Sequence, residues 1–338
     1  MDKLKNRFPN GSLFHCAVGV GAALAVYVLM KVLILVNIID PFYLMIVQKI
    51  CIDIILALGL NLITGITGQF SLGHAGFMAI GAYTGALIIM NLPMNLGTAL
   101  LACAAAAVTG GLAGFLIGIP TLRLKGDYLA IATLGFAEII RIVILNIDQS
   151  VLGGAAGLSS LPRFTTFEWV FISLAVAFAV VRNFVRSSYG RACIAVREDE
   201  VAAEAMGINL TNTKMIAFVI GTALAGFAGA LYAGNVGYIA PKDFGFMKSI
   251  DILMIVVIGG LGNLWGTVGA AVLMNIVSML LQDAAELRMV LYALILIIIM
   301  LVKSGETPFF VKIRAGLSKL VRITSLVRPR GGKAGQKK

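Results

Sequence analysis

A chain of 338 residues that is 59% hydrophobic and only 13% charged, with a mean hydropathy of +0.97, is neither a soluble enzyme nor a disordered or fibrous protein, since ordinary soluble domains carry roughly a quarter charged residues. Apolar runs too long for a soluble core helix leave an all-α polytopic membrane protein. The net charge of +11 needs no nucleic-acid partner, because it gathers in segments flanking the apolar runs, where anionic lipid attracts it.

A membrane span needs about 20 apolar residues. Residues 1–12 read as a basic N-tail, with Lys3, Lys5 and Arg7 ahead of the first uncharged run, Leu13–Met30. That run lacks a convincing small-residue cleavage site and is expected to be a retained span ending near Asp40-Pro41. Phe42–Ile63 follows. The uncharged stretch Phe70–Leu122 is too long for one span and is divided by Asn91-Leu-Pro-Met-Asn95, which places spans near 69–90 and 97–118. Further spans are expected near 126–147, 167–185 and 214–234, with a Gly-rich outer loop at 148–166 and a polar inner loop at 186–213. Ile252–Gln282 carries no charge over 31 residues and is interrupted by Gly259–Gly266; Met289–Val302 is the last apolar run.

The tail 303–338 holds ten Lys/Arg against one acidic residue and should be cytoplasmic, as should the N-tail. Two inner termini require an even number of crossings, which favours dividing 244–282 into two and gives about ten spans (range 8–10) within a membrane domain of 13–302. With that topology 20 Lys/Arg fall inside and four outside (Arg163, Lys242, Lys248, Arg288), the asymmetry that the positive-inside rule demands.

The cysteines Cys16, Cys51, Cys103 and Cys193 share no CxxC spacing, and His15 and His74 are the only histidines, so no metal site is expected. No G-x-x-x-x-G-K-[ST] phosphate loop occurs, and Gly153-Gly-Ala-Ala-Gly157 lacks the lysine. No Ser/His/Asp set or paired catalytic carboxylates can be assembled, so the chain is not expected to be an enzyme. If transport is ATP-driven, the motor is another polypeptide.

Most of the 38 glycines lie in apolar runs, where small residues let helix backbones approach closely. Two segments also share a G-x-x-G-amide-apolar pattern, Gly65-Ile-Thr-Gly68-Gln69-Phe70 and Gly259-Gly-Leu-Gly262-Asn263-Leu264. Glycine-interrupted segments in corresponding halves of a chain point to broken helices along a substrate path. Charges inside spans are costly. Lys49 and Asp53, four apart, and Glu138 and Arg141, three apart, can each pair on one helix face. They either hold helices in register or line a path for a zwitterion, and no chain of intramembrane carboxylates suggests proton coupling. In Arg191–Asn209, the apolar Ile194, Val201 and Met206 interleave with Arg197, Glu198, Asp199, Glu200 and Glu204, and Gly207 is placed to end a helix. A short amphipathic helix is expected there, either solvated or docking a cytoplasmic partner.

The stretch Gly59–Tyr83 (GLNLITGITGQFSLGHAGFMAIGAY), with Arg123–Phe136 (RLKGDYLAIATLGF) and Gly259–Gly266, resembles the ABC-transporter inner-membrane permeases for branched-chain amino acids, and the second element points to the LivM-type subunit. Glu204-Ala-Met-Gly207 is similar to the family's cytoplasmic coupling loop, with Met206 where the family commonly has alanine. The likeness covers roughly Ile50–Val302 and assigns no family role to the basic tail beyond. It implies a companion LivH-like permease, two cytoplasmic ATPase subunits that carry ATP and Mg, and a periplasmic or lipid-anchored substrate-binding protein, in the bacterial cytoplasmic (inner) membrane. It assigns coupling to Arg197, Glu198, Asp199, Glu204 and Gly207. Urea and short-amide permeases share similar motifs, and composition alone also allows an ATP-independent channel or secondary transporter.

Overall fold

A computed structural model describes residues 40–280 apart from Lys125, together with Tyr27, Lys31 and Leu294. The expected first span, but for Tyr27 and Lys31, and the two basic tails lie outside the described residues, as does 289–302 but for Leu294. The chain divides into two compact units, Met1–Val277 and Ser278–Lys338. The first holds the helices below, except for the last turn of α10.

Helix α1 (Pro41–Leu60) starts with proline in its first turn, where the missing N–H would be unpaired anyway. It runs on into a π-helical segment, Asn61–Ile66. After the non-helical residues 67–73 come α2 (His74–Asn91), α3 (Leu96–Thr121), α4 (Asp127–Asn146) and α5 (Phe167–Arg186). The polar loop forms α6 (Ser188–Glu198) and α7 (Glu200–Ala205); α8 (Leu210–Val236), α9 (Phe246–Gly259) and α10 (Leu264–Leu280) follow. Among the described residues five helices are long and apolar enough to cross a membrane: Pro41–Ile66, α3, α4, α5 and α8.

Most expected spans shift by one to four residues, but α2 starts later than 69–90 implied. Residues 69–73 are not helical, and two of their N–H groups are satisfied from other elements. Leu72 N donates to Thr133 Oγ1 at 3.1 Å, and Gln69 N to Ile63 O at 3.1 Å. Just inside α2, Ala75 N donates to Ser249 Oγ at 3.1 Å. Irregular backbone at membrane depth survives only with such partners. The 244–282 region is divided into α9, 14 residues long, and α10, of which 17 residues are described.

Helix α8 is the hub, packed on α1, α2 and α3. Glycine permits this closeness: a Cβ at Gly81 would stand 2.1 Å from the Gly226 carbonyl oxygen, and one at Gly229 2.1 Å from Met78 O. The same logic explains the loop glycines at 153–157. Leu158 and Ile239 form an antiparallel bridge, and a Cβ at Gly157 would lie 2.2 Å from Ile239 O. This segment closes one end of the bundle, where Asn235 Nδ2 also donates to Met45 O at 3.4 Å. The loop 187–209 lies at the opposite end, across the 20-residue α5.

Candidate functional site

The two G-x-x-G-amide segments meet. Asn61, in the π-helical turn, accepts a hydrogen bond from Gly262 N at 2.8 Å and donates to Thr267 Oγ1 on α10 at 2.8 Å. A Cβ at Gly65 would lie 2.4 Å from Gly262 N, so the two breaks touch through backbone. Gly68, Gly260 and Gly262 all adopt positive φ (76°, 89° and 81°), a region that L side chains avoid. The two amides of the motif differ. Asn263 is exposed and caps α10 by accepting from Gly266 N at 3.1 Å. Gln69 is buried, and neither of its side-chain amide atoms has a hydrogen-bond partner among the described residues.

Arg197, from the polar loop, joins this junction. Its Nη1 donates to Gly65 O at 2.9 Å, and its Nε and Nη2 are engaged by Glu198. Arg197 is therefore tied inward to the helix break. Asp199 divides the loop into two helices, whereas the sequence suggested one. Its carboxylate caps α7 by accepting from Val201 N at 2.9 Å and Ala202 N at 3.1 Å, a common role for aspartate at a helix start. Gly207, at φ +82°, ends α7. Gly207 N reaches Glu204 O at 2.9 Å and Ile208 N reaches Ala203 O at 3.1 Å, which is a Schellman ending.

The apolar residues expected to share one face of the loop do not. Ile194 packs against Leu62, Ile66, Cys193 and Ala217, but Val201 is 76% and Met206 82% exposed. The division at Asp199 turns α7 away from the face that α6 buries. Burial pushes the Cys193 thiol above its ordinary pKa. Glu204 is exposed beside these two residues, and Lys214 reaches back to Glu200 at 2.5 Å.

The charged pairs within the helices form as their spacing predicts. Lys49 donates to Asp53 at 3.2 Å, and Arg141 Nε to Glu138 Oε2 at 2.7 Å. Asp53 holds more than its helical neighbour, however. Lys248 on α9 donates to its other oxygen at 2.9 Å, while Lys49 also donates to Asn275 Oδ1 on α10 at 2.9 Å. Lys248, counted above among the outer charges, thus belongs to the interior set, because a turn of α9 carries it against α1. Lys31 pairs with Glu168. The roles of Asn61, Thr267, Lys248 and Asn275 escaped sequence reading. Their one visible signal was a lone polar residue in an apolar run, which does not reveal a partner some 200 positions away.

At the end of the bundle opposite the polar loop, a cavity of about 460 Å³ is lined by Glu138, Arg141, Lys242, Asp243, Gly245, Phe246, Met247, Lys248 and Asp251.

A helical bundle with long apolar helices, two touching helix breaks and a polar helical loop tied to them is that of a polytopic membrane protein. The family described as branched-chain amino acid transport system / permease component matches residues 42–300. The chain belongs to that family. It is 36% identical over 306 residues to the high-affinity branched-chain amino acid transport system permease protein LivM of Salmonella typhimurium, covering 79% of this chain and 71% of that one. To the LivM protein of Escherichia coli it is 36% identical over 284 residues, covering 74% and 66%. The LivH permease protein of Escherichia coli matches at 27% identity over 278 residues, covering 74% and 89%. No solved structure matches the chain.

Proposed function

We propose that this chain is the LivM-type membrane subunit of an ATP-driven importer of branched-chain, aliphatic amino acids in the bacterial inner membrane. The family match over residues 42–300 carries this reading. The substrate class follows from the relatives' names, and higher identity to LivM than to LivH supports the subunit type. A LivH-like permease completes the path, two cytoplasmic ATPases bind ATP and Mg, and a periplasmic or lipid-anchored protein delivers the amino acid. About ten spans place both termini and the loop 186–213 in the cytoplasm and the loop 148–166 outside.

In this mechanism α6 and α7 receive the movement of the ATPases. Glu204, Val201 and Met206 offer an exposed acidic and apolar docking surface, and Gly207 sets its end. Arg197, its guanidinium held by Glu198 and followed by Asp199, which caps α7, passes the movement to the carbonyl of Gly65. From there Asn61 and Gly262 pass it to α9 and α10. Gly65, Gly68, Gln69, Gly259, Gly262 and Asn263 form the deformable junction. The pairs Lys49–Asp53 and Glu138–Arg141 keep charge neutralised beside the path.

The test is uptake of radiolabelled leucine, isoleucine, valine and urea at micromolar concentration by a deletion strain and its complemented partner. Loss of the three amino-acid activities in the deletion, restored by the gene, is expected. Loss of urea uptake alone would move the substrate to urea, and uptake that survives ATP depletion with the proton gradient intact would refute the ATP-driven reading.

A further inference from the structure

The cavity at the end of the bundle opposite the polar loop is lined by three acidic and three basic side chains, Glu138, Asp243, Asp251, Arg141, Lys242 and Lys248, beside the apolar Phe246 and Met247. Its volume of about 460 Å³ falls in the range of small-molecule sites, roughly 300–1,000 Å³. Charged side chains at the wall of a membrane bundle do not face lipid; they face protein or a water-filled passage. Most of these groups are already engaged. Arg141 holds Glu138, Lys248 holds Asp53, and Asp243 Oδ2 accepts from Ala240 N at 3.1 Å. Lys242 is exposed and makes no ion pair among the described residues. The Arg141 bond takes one oxygen of Glu138 and leaves Oε1 without a hydrogen bond among the described residues.

The wall therefore combines a free ammonium, an acceptor oxygen on a carboxylate and an apolar surface within one cavity of balanced charge. A zwitterion with an aliphatic side chain needs these same three features. A sugar would leave the free ammonium and carboxylate oxygen without charged partners, and no group of His, Cys, Asp or Glu among the described residues is placed to hold a metal ion. We propose that this cavity is the outer receiving site for the free amino acid as it enters the path. Lys242 takes the α-carboxylate, Glu138 accepts from the α-ammonium, and Phe246 and Met247 border the side chain. The inference rests on the importer reading above.

The experiment uses the complete transporter in proteoliposomes, with the companion permease, ATPases and binding protein, and measures ATP-driven leucine import. Lys242→Ala should lower the maximal rate at saturating loaded binding protein about tenfold, the loss of one charge-assisted hydrogen bond, and Lys242→Arg should restore most of it. In a Lys242→Cys transporter, millimolar leucine should slow labelling by an impermeant thiol reagent, and equal concentrations of urea should not. Two results would overturn the proposal. One is a Lys242→Ala effect confined to the half-saturating concentration of binding protein, which would make Lys242 a protein-docking residue. The other is labelling of the cysteine variant that leucine does not change. No leucine import by the unmodified transporter would instead reject the importer reading, so the two failures are distinguishable.

Discussion

Replacing Asp53 with alanine tests the interior charge set most sharply, because the structure makes its two partners unequal. The carboxylate is 5% exposed and holds Lys248, whose side chain is 16% exposed, and Lys49, at 42%. Removing one partner of a buried pair costs about 3–5 kcal/mol, because the other charge is left uncompensated. Lys248 bears that cost. What remains near it is the Tyr232 ring, 6.0 Å from its nitrogen, and a weaker attraction from Asp251. Lys49 keeps its hydrogen bond to Asn275 and is the less buried of the two lysines, so its share is the smaller, about 1 kcal/mol. The second-site changes should therefore differ. Asp53→Ala with Lys248→Met should recover most of the lost stability, and Asp53→Ala with Lys49→Met little. The two shares differ by about 2–4 kcal/mol, so at about 2–4 °C per kcal/mol the two double variants should differ in Tm by roughly 4–16 °C in the detergent-solubilised permease, with membrane abundance in the same order. Equal recovery by both, or better recovery by Lys49→Met, would refute the assignment of Lys248 as the principal partner.

Three further outcomes are expected. Arg197→Ala should cut leucine uptake about tenfold through loss of a charge-assisted bond to Gly65 O, while ATP hydrolysis by the complex persists; hydrolysis and uptake that fall in step would show damage to assembly instead. Gly207→Val should insert normally, since a Cβ there meets nothing within 4 Å, yet abolish uptake by straining the left-handed end of α7 by ~1–2 kcal/mol; uptake retained together with Glu204→Lys would remove the loop from the coupling route. In intact cells an impermeant thiol reagent should label Ser160→Cys and not Ser188→Cys, a choice that spares the capping hydroxyl of Ser187; the reverse pattern would invert the topology.

How much of this was legible in the amino-acid order depends on the range of the interaction concerned. Composition and apolar run length determined a helical membrane protein, and the runs placed its long helices to within a few residues. Lys49 with Asp53 and Glu138 with Arg141 were readable because a helix puts positions three and four apart on one face. The end of α7 was readable because only glycine sits easily at positive φ. The family was legible in the Gly59–Tyr83 stretch.

Tertiary structure decided which distant positions share a site. The contact of Gly65 with Gly262, the bond from Arg197 to Gly65 O and the two bonds of Asn61 each join segments more than 130 positions apart. Periodicity carries no record of such pairs. The non-helical stretch 69–73 lies in the same uncharged run as the helix that follows, and the hydroxyl of Thr133 on α4, which accepts from Leu72 N, helps to make its departure from helix tolerable. Lys248 looked like a loop cation until the packing of α9 on α1 brought it to Asp53. A charge shows its worth only once its neighbours are known, and for this protein the neighbours are set by how closely glycine lets the helices approach.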